Sequence, residues 1–405
     1  MKWWGSKKEQ SERVYLDWAA ATPLLPEAKA AMEPYLGDVF GNASAIHKEG
    51  QVAKRALEEA REKVARALQV RPEFVTFTGG GTEGNNLAIM GTIMRLRANC
   101  REFSDMEIIT TAIEHPSITE TMRALERRGV VIKQAPVDET GKVKVAEFKK
   151  LLTEKTVLVS LAYANSEIGV IQPLHHIKKH IKEAAAAFKT EIRLHVDAAQ
   201  APLWLSCQFD TTSADLLVLD TAKCCGPKGA GVLVRARGIE LAPYQFGGGQ
   251  EAGLRPGTEN VASAAGAAVA IEVAQEDWRA RAERARTIRD TGIAAIMAAV
   301  PQAILNGPTG EERLANNINI SIPGLDTEYA AVWLDARGFA VSTKSACAGA
   351  GGGESVVVRT ISDDAARASS TLRFTIGPST TVEDLQKLAA ALKEHVALMS
   401  DLTSS

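Results

Sequence analysis

Apolar runs that alternate with amphipathic stretches determine which fold this chain can adopt. Seven of the runs lie between residues 73 and 237 and read EFVTFTG, MEIITTAIEH, GVVIKQAPV, TVLVSLAYAN, EIRLHVDAAQ, ADLLVLDTAK and GAGVLVRAR. Most are continuously apolar, which is typical of strands buried on both faces of a parallel sheet. The stretches before and between them, such as residues 50–70, carry apolar side chains on one face and charges on the other. The pattern predicts an α/β fold in which helices cover both faces of a mostly parallel sheet.

The length of 405 residues exceeds that of a usual single core and predicts a second, smaller unit. An alanine-rich stretch at 262–274 reads as a long helix that leaves the sheet, and NNINISIP, FAVST and TLRFTIG follow it as candidate strands of an α+β unit. We therefore predict a large α/β domain over residues 14–265 and a small α+β domain over residues 266–405, with residues 1–13 as an N-terminal extension.

Composition excludes several classes of function. The formal net charge is −2, with no basic patch of the kind that binds nucleic acid. No stretch reaches about 18 uninterrupted apolar residues, and the N-terminus has no apolar segment of a signal peptide. The five cysteines, at positions 100, 207, 224, 225 and 347, show neither a pairing pattern nor the CxxC spacing of a zinc site. These features predict a cytoplasmic protein without a metal site, whose partners are small molecules or proteins.

Chemistry in an open α/β sheet is expected beyond the carboxyl ends of its strands. The stretch FTGGGTEGNNLAIM runs from a strand through three glycines into a helix. Its backbone N–H groups, from Gly81 onward, and the Thr82 hydroxyl are suited to hold a phosphate, and the alternative is a plain tight turn. The absence of a Gly-Lys-Ser/Thr ending excludes a P-loop.

Three further polar residues close other strands. Asp197 ends one run, and Gln200 follows it three residues later. Taken by itself, an aspartate at this position could equally serve as a helix cap. Lys223 ends the next run, and the simpler alternative to a catalytic role is a lysine at a strand end with its ammonium group in water. His115 ends another run, and the alternative there is a histidine with a purely structural role. Taken together, a phosphate cradle, an acid for a ring nitrogen and a lysine that forms a Schiff base are what pyridoxal 5'-phosphate requires from a protein.

The chain resembles the group I cysteine desulfurases of the NifS/IscS type, which are fold-type-I pyridoxal phosphate enzymes of the class-V aminotransferase family. The resemblance extends from about Val14 to Leu398. The matching stretches occur in family order and read VYLDWAAATPL, FGNASAIH, FTGGGTEGNNLAI, EHPS, ANSEIGVIQPL, HVDAAQ, GPKGAGVL, GGGQEAGLRPGTEN, SACAGA and STLRFTIG.

The resemblance implies a role for each candidate residue. Lys223 is then the Schiff-base lysine, Asp197 the partner of the pyridine nitrogen, Gln200 the partner of the ring hydroxyl and His115 the imidazole stacked on the ring. The phosphate is held by Gly81 and Thr82, and by Thr258 from the other subunit of a homodimer. Asn165 and Arg373 clamp the substrate carboxylate, with Asn165 also at the cofactor and Asn42 as a further substrate-side residue.

The nucleophile implied by the resemblance is Cys347, in VSTKSACAGAGGGESVVV. Glycines after it lower the barrier to backbone movement in a loop that carries sulfur between substrate and acceptor. The stretch STKSAC departs from the small Ser-Gly pair that is usual there, and Lys344 either favours the thiolate or stiffens the loop. An incidental cysteine in a flexible surface loop is the alternative. Cys224 and Cys225 are predicted to pack as small apolar residues behind Lys223.

The activity implied is conversion of L-cysteine to L-alanine, with the sulfur held as a persulfide on Cys347. A protein acceptor, either a scaffold for iron-sulfur cluster assembly or a tRNA-thiolating enzyme, then takes the sulfur by thiol exchange. Two alternatives stay open: a selenocysteine lyase or another pyridoxal phosphate β-lyase, and a cofactor-poor binding partner in a sulfur-transfer assembly.

One departure from the family pattern concerns the phosphate. Before the lysine the family usually has Ser-Gly-His, whereas this chain has Asp220, Thr221 and Ala222. An ionised Asp220 beside a phosphate is unfavourable by roughly 4 kcal/mol per unit charge at about 4 Å and an effective dielectric constant of about 20. We therefore expect that Asp220 points away or is protonated, that Thr221 replaces one lost phosphate contact, and that the cofactor is held less tightly than usual.

Overall fold

A computed structural model describes residues 13–343 and 353–404, without the side chains of residues 400–404. Its strands are β1 (Val14–Tyr15), β2 (Val75–Thr78), β3 (Glu107–Thr110), β4 (Val131–Gln134), β5 (Thr156–Ala162), β6 (Arg193–Asp197), β7 (Leu216–Asp220), β8 (Gly231–Arg235), β9 (Ile304–Leu305), β10 (Asn317–Ser321), β11 (Phe339–Ala340), β12 (Ser342–Thr343) and β13 (Thr371–Thr375). Its α-helices are α1 (Pro26–Met32), α2 (Lys48–Leu68), α3 (Gly81–Ala98), α4 (Pro116–Glu126), α5 (Val145–Leu151), α6 (Leu174–Phe188), α7 (Phe209–Thr212), α8 (Val261–Glu276), α9 (Trp278–Ala299), α10 (Thr327–Asp335), α11 (Val356–Ser362), α12 (Ala365–Ser369) and α13 (Val382–Ser404).

The seven apolar runs form one sheet in the order β2-β8-β7-β6-β5-β3-β4. Strands β4, β3, β5, β6 and β7 are parallel, and β8 is antiparallel to both of its neighbours, β7 and β2. The prediction of a mostly parallel α/β sheet is therefore confirmed. Its consequence for function is geometric, since the carboxyl ends of β2, β3, β5, β6 and β7 lie at one edge of the sheet.

The helices pack through the faces that the sequence pattern indicates. Helix α2 buries Leu57, Val64 and Leu68 and exposes its charged face. Helix α8 packs against α1 and α2, and its small side chains permit close approach, because a Cβ atom added at Gly266 would lie 2.6 Å from the Cγ atom of Met32.

A second, antiparallel sheet has the order β12-β13-β10-β9, and β1 pairs in parallel with β11 beside it. Helix α9 packs on β10 and on α13. Strand β1 leads into Asp17, which forms an isolated bridge with Thr375 at the end of β13. The predicted domain boundary near residue 265 falls inside α8, and the division of the chain into two domains stays a prediction.

The main hydrophobic core includes both cysteines that follow Lys223. Cys224 and Cys225 are 1% and 4% exposed, and both are free thiols in this core. Their predicted role as packing residues is confirmed. In the described ranges, none of the helices is both long and apolar enough to cross a membrane.

Candidate active site

A cavity of about 220 Å³ lies at the edge of the main sheet where the parallel strands end. Nine of the residues singled out in the sequence line it: Gly81, Thr82, His115, Asn165, Asp197, Gln200, Asp220, Lys223 and Arg373. They come from segments far apart in the chain, and the parallel strands bring most of them together. Among the described residues, no group of three or more His, Cys, Asp or Glu side chains is arranged to hold a metal ion.

Lys223 reaches the cavity from a short helical turn after β7. The turn spans Thr221–Lys223, and the Asp220 carboxylate caps its start by accepting the N–H of Ala222 at 2.9 Å. The Lys223 ammonium donates a hydrogen bond to the backbone carbonyl of Ala20. The lysine is half-buried, so that its amine is held inside the cavity rather than in bulk water.

Asp197 ends β6 on the neighbouring strand and is buried. Its Oδ1 accepts the N–H of Ala199 at 2.9 Å, and its Oδ2 accepts the side-chain amide of Asn85 at 2.9 Å. Burial raises the pKa of Asp197, while these two donors and His115 act in the opposite direction. The carboxyl group is thus fixed in orientation and retains acceptor capacity toward the cavity.

Asn85 is a functional candidate that the sequence reasoning did not single out. Its Nδ2 donates to Asp197 and also to the hydroxyl of Ser117 at 2.9 Å. The signal that could have identified it is its spacing, since Asn85 lies four residues after Gly81 and thus on the same face of α3. Asn85 links the start of α4 to the carboxylate at the end of β6.

His115 caps α4 and is oriented by backbone contacts. Its Nδ1 accepts the N–H of Ser117 at 3.1 Å and lies 2.8 Å from the Ser117 hydroxyl. Because Nδ1 accepts an N–H, a neutral His115 carries its ring hydrogen on Nε2. The helix cap therefore fixes both the position and the tautomer of the ring.

Glu114, next to His115, is a second residue that the sequence reasoning did not single out. Its carboxyl group is buried, and it accepts the Thr111 hydroxyl at 2.6 Å and the N–H of Ala162 at 2.8 Å. Burial raises the pKa of Glu114 to about 8, and the nearby Asp197 charge acts in the same direction. Burial therefore favours the protonated form of Glu114 behind the cavity.

Asn165 lies in the cavity wall, but its side chain is committed to the backbone. The amide donates to the carbonyl of Ile113 at 2.8 Å, and its oxygen accepts the N–H groups of Glu167 and Ile168, each at 2.9 Å. One amide hydrogen remains for a ligand. Asn165 is thus placed to shape the cavity more than to clamp a carboxylate with several bonds.

Arg373 enters the cavity from β13 of the second sheet and is 2% exposed. Its guanidinium donates to the carbonyl of Ser166 at 3.1 Å and to the Asp17 carboxylate at 2.9 Å. Its Nε has no hydrogen-bond partner within the described residues. A buried guanidinium with a spare N–H is suited to bind a carboxylate.

The glycine-rich turn leads into α3 as predicted. Gly80 has a φ of 139°, a value that glycine adopts readily, and it allows β2 to turn directly into the helix. The Gly81 N–H at the helix start points at the Asp220 carboxylate, at 3.3 Å from Oδ2, and Thr82 is exposed at the cavity wall. The carboxylate of Asp220 faces the cavity, so the expectation that it points away is wrong.

Thr221 is not brought into the cavity. Its side chain is fully buried, and its hydroxyl donates to the backbone carbonyls of Pro227 and Ala230, at 2.7 and 2.9 Å. Asp220 ends β7 and Thr221 begins the turn that follows, and the Asp220 side chain faces the cavity while the Thr221 side chain faces the core. The phosphate contact expected from Thr221 in place of the lost donors has no support in this geometry.

Two other residues with predicted roles do not line the cavity. Asn42 and Thr258 are exposed, and the Asn42 side chain accepts the N–H of Ser44 at 2.9 Å. Cys347, together with Lys344 beside it, lies outside the described residues.

Comparison with known proteins agrees with this geometry. The family model described as aminotransferase class-V matches residues 14–388. The cysteine desulfurase IscS of Dictyoglomus turgidum is 39% identical over 92% of this chain and 91% of its own length. A solved structure described as a NifS-like protein superposes with a TM-score of 0.87 at 31% identity, over 95% of this chain and all (100%) of the other. The NifS-like protein from Rickettsia africae superposes with a TM-score of 0.81 at 26% identity, over 95% and 99% of the two chains. This chain therefore belongs to the class-V aminotransferase family and, within it, to the cysteine desulfurases related to IscS and NifS.

Proposed function

We propose that this protein is a pyridoxal-phosphate-dependent cysteine desulfurase that converts L-cysteine to L-alanine and holds the sulfur as a persulfide on Cys347. The observation that supports this most directly is the placement of Lys223, Asp197 and His115 around one cavity, beyond the carboxyl ends of the parallel strands β7, β6 and β3. Such a set provides an amine, a fixed carboxylate and an imidazole within one small, half-enclosed space.

The residues present fit the cofactor. Asp197 is buried and held by two N–H donors, as a carboxylate that must stay oriented toward a ring nitrogen requires. Arg373 adds a buried Nε with no partner in the described part of the chain. The residues that would hold the cofactor are Lys223 at its aldehyde carbon, Asp197 at the ring nitrogen, Gln200 at the ring hydroxyl, His115 at the ring face, and Gly81 and Thr82 at the phosphate.

When bound, pyridoxal phosphate supplies an electron sink for the charge that develops at the substrate Cα atom. Lys223, once its amine is free, takes the proton from that atom and later returns a proton to the substrate. Arg373 binds the substrate carboxylate, because it is the buried guanidinium of the cavity. The Asp17 carboxylate orients the Arg373 guanidinium before substrate arrives. In the cofactor-free chain the Ala20 carbonyl accepts a hydrogen bond from Lys223 and holds its side chain in the cavity.

The sulfur transfer is balanced without an external oxidant. The Cys347 thiolate attacks the substrate sulfur, the bond between that sulfur and the substrate Cβ breaks, and the electron pair stays on the substrate carbon. The Cβ atom then takes up one proton, which balances the proton that the Cys347 thiol gave up. The substrate leaves as alanine and the enzyme keeps a persulfide, which an acceptor thiol then takes by exchange. The family relationship supports Cys347 in this role.

The partners follow from the same proposal. We assign a homodimer in which Thr258 of one chain reaches the phosphate site of the other, and a protein sulfur acceptor in cluster assembly or tRNA thiolation. The exposed position of Thr258 supports the first assignment. The formal net charge of −2 and the five cysteines without a pairing pattern support a cytoplasmic enzyme that does not itself bind nucleic acid.

The test is alanine formation from L-cysteine by protein loaded with pyridoxal phosphate and supplied with a reductant. We expect turnover in the parent and in Cys100→Ser, a matched variant at an exposed cysteine, and loss of nearly all turnover in Cys347→Ser. Full activity of Cys347→Ser would indicate a β-lyase that needs no protein thiol. Absence of alanine from folded, cofactor-loaded parent protein would overturn the proposal and favour the role of a binding partner.

A further inference from the structure

The start of α3 already holds a carboxylate from the chain itself. Asp220 Oδ2 accepts the N–H of Gly81, the first residue of the helix, at 3.3 Å, and Oδ1 accepts the N–H of Ala222 at 2.9 Å. Both the carboxylate and the helix start line the cavity that contains Lys223. The Asp220 side chain thus lies between the helix start and the turn that carries the lysine.

The contact between Asp220 and the helix start is close. A Cβ atom added at Gly81 would lie 3.2 Å from both Cβ and Oδ2 of Asp220. The first N–H groups of a helix have no partner within the helix, and the positive end of its dipole attracts anions. Asp220 uses one of these groups, Gly81 N–H, for its own carboxylate.

Glu83 brings a second carboxylate to the same helix start, but the charge of Glu83 is paired with a cationic side chain. Glu83 accepts the N–H of Gly79 at 2.8 Å and forms an ion pair with Arg255 at 3.1 Å. The Asp220 carboxylate, by comparison, is held by two backbone N–H groups. It therefore brings a negative charge to the place where a phosphate group would bind.

The two residues that follow Asp220 offer no side-chain donor to the cavity. The Thr221 hydroxyl is turned into the core, where it donates to two backbone carbonyls. Ala222 has no polar side chain. The donors that this end of the cavity offers a phosphate are then the N–H groups at the start of α3 and the Thr82 hydroxyl, and Asp220 competes for the first of the N–H groups.

We propose that Asp220 sets the affinity of this protein for phosphorylated cofactor by occupying the anion position at the start of α3. The inference rests on the proposed function, because it takes pyridoxal phosphate as the ligand. The phosphate binds at Gly81 only after the Asp220 carboxylate has left the Gly81 N–H. The affinity for pyridoxal phosphate is consequently lower than the other residues of the cavity would give, while the affinity for pyridoxal, which has no phosphate, is unaffected by this competition.

The test compares the two ligands on the cofactor-free chain by equilibrium dialysis. The variants are Asp220→Asn, which keeps the acceptor for the Ala222 N–H and removes the charge, and Asp220→Ser, which offers a hydroxyl to the phosphate. Asp210→Asn is the matched control, since it removes one charge from an exposed position outside the cavity. Circular dichroism checks that every variant is folded.

We expect both Asp220 variants to lower the Kd for pyridoxal phosphate at least about tenfold, equivalent to about 1.4 kcal/mol, and to leave the Kd for pyridoxal within about twofold. Asp210→Asn should change neither. Equal gains for both ligands would overturn the inference, because they would show that the Asp220 charge acts on Asp197 or Lys223 rather than on the phosphate. Unchanged or weaker binding of pyridoxal phosphate would overturn it as well.

The results that would overturn the proposed function differ from those that would overturn the inference about Asp220. If neither ligand binds the folded parent or any variant, the chain is not a pyridoxal phosphate enzyme and both proposals are wrong. If both ligands bind with the same ratio of Kd values in every variant, only the inference about Asp220 is wrong.

Discussion

The Nδ2 atom of Asn85 lies 2.9 Å from Oδ2 of Asp197, and this contact fixes one side of the carboxylate that faces the cavity. The same amide holds the Ser117 hydroxyl, which in turn lies beside the His115 ring. A polar chain thus runs from the imidazole to the carboxylate. Each member is oriented before any ligand arrives, which reduces the cost of ordering the site.

Replacement of Asn85 by alanine should weaken cofactor binding. The substitution leaves a buried Asp197 with one donor fewer, so we expect a loss of about 1–2 kcal/mol, or roughly 5- to 30-fold in the Kd for pyridoxal phosphate. The control is Asn86→Ala, because the amide of Asn86 donates to the Thr82 carbonyl instead of Asp197. Equal effects of the two variants would show that the Asn85 contact has no specific role.

The buried Glu114 predicts a pH dependence of stability. Its pKa rises from 4.5 to about 8 on folding, so the folded state binds more protons than the unfolded state between these pH values. The free energy of unfolding should therefore fall as the pH rises through this range. Glu114→Gln, which resembles the protonated side chain, should flatten that dependence.

Urea denaturation at pH 5 and at pH 8 measures the effect of Glu114. Relative to the parent, Glu114→Gln should gain more stability at pH 8 than at pH 5. Glu120→Gln, at an exposed position on α4, is the control and should change little at either pH. A parallel pH dependence of the parent and Glu114→Gln would show that Glu114 does not hold its proton at neutral pH.

The ion pair between Arg61 and Glu251 should make a large contribution to folding. Two guanidinium nitrogens lie 2.7 and 2.8 Å from the Glu251 carboxylate, which also accepts the N–H of Phe77, and the carboxylate side chain is 3% exposed. Arg61→Met leaves that charge buried without its partner. We expect a loss of about 3–5 kcal/mol in the free energy of unfolding.

The control for Arg61→Met is Arg95→Met, which breaks the ion pair between Arg95 and Glu240. Both of those side chains are exposed, at 40% and 65%, so the loss should stay below about 1 kcal/mol. Denaturant titration of both variants gives the comparison. Similar losses in the free energy of unfolding for the two variants would mean that burial does not determine how much the ion pair between Arg61 and Glu251 contributes to stability.

Alkylation should distinguish the cysteines. Burial raises the pKa of Cys224 well above its usual value and that of Cys225 to about 11, and it also raises the pKa of Cys207. These three thiols should resist iodoacetamide at pH 7.5 in the folded protein, whereas the exposed Cys100 should react. Peptide mass spectrometry before and after denaturation measures the modified fraction at each cysteine. If Cys224 in the folded protein were modified as fast as Cys100, its assignment as a buried, unreactive thiol would be contradicted.

Most of the sheet and part of the site could be predicted from sequence because they depend on local patterns. Each of the seven apolar runs became a strand, as expected for short apolar runs that are buried on both faces of a parallel sheet. Residues at the ends of parallel strands meet at one edge, and Asp197 and Lys223 accordingly share the cavity. The glycine turn before α3 was predictable for the same reason, because few other sequences connect a strand to a helix so tightly.

The sequence alone therefore determined the fold class, the family relationship and the residue types at the strand ends. Only the tertiary structure decided that β8 runs against its neighbours, that Asn85 reaches Asp197, and that Asp220 faces Gly81 while Thr221 faces the core. Successive side chains of a strand point to opposite sides, but which of the two sides faces the cavity depends on the register and twist of β7 within the whole sheet. That register is set by packing between segments far apart in the chain, which a local pattern does not contain.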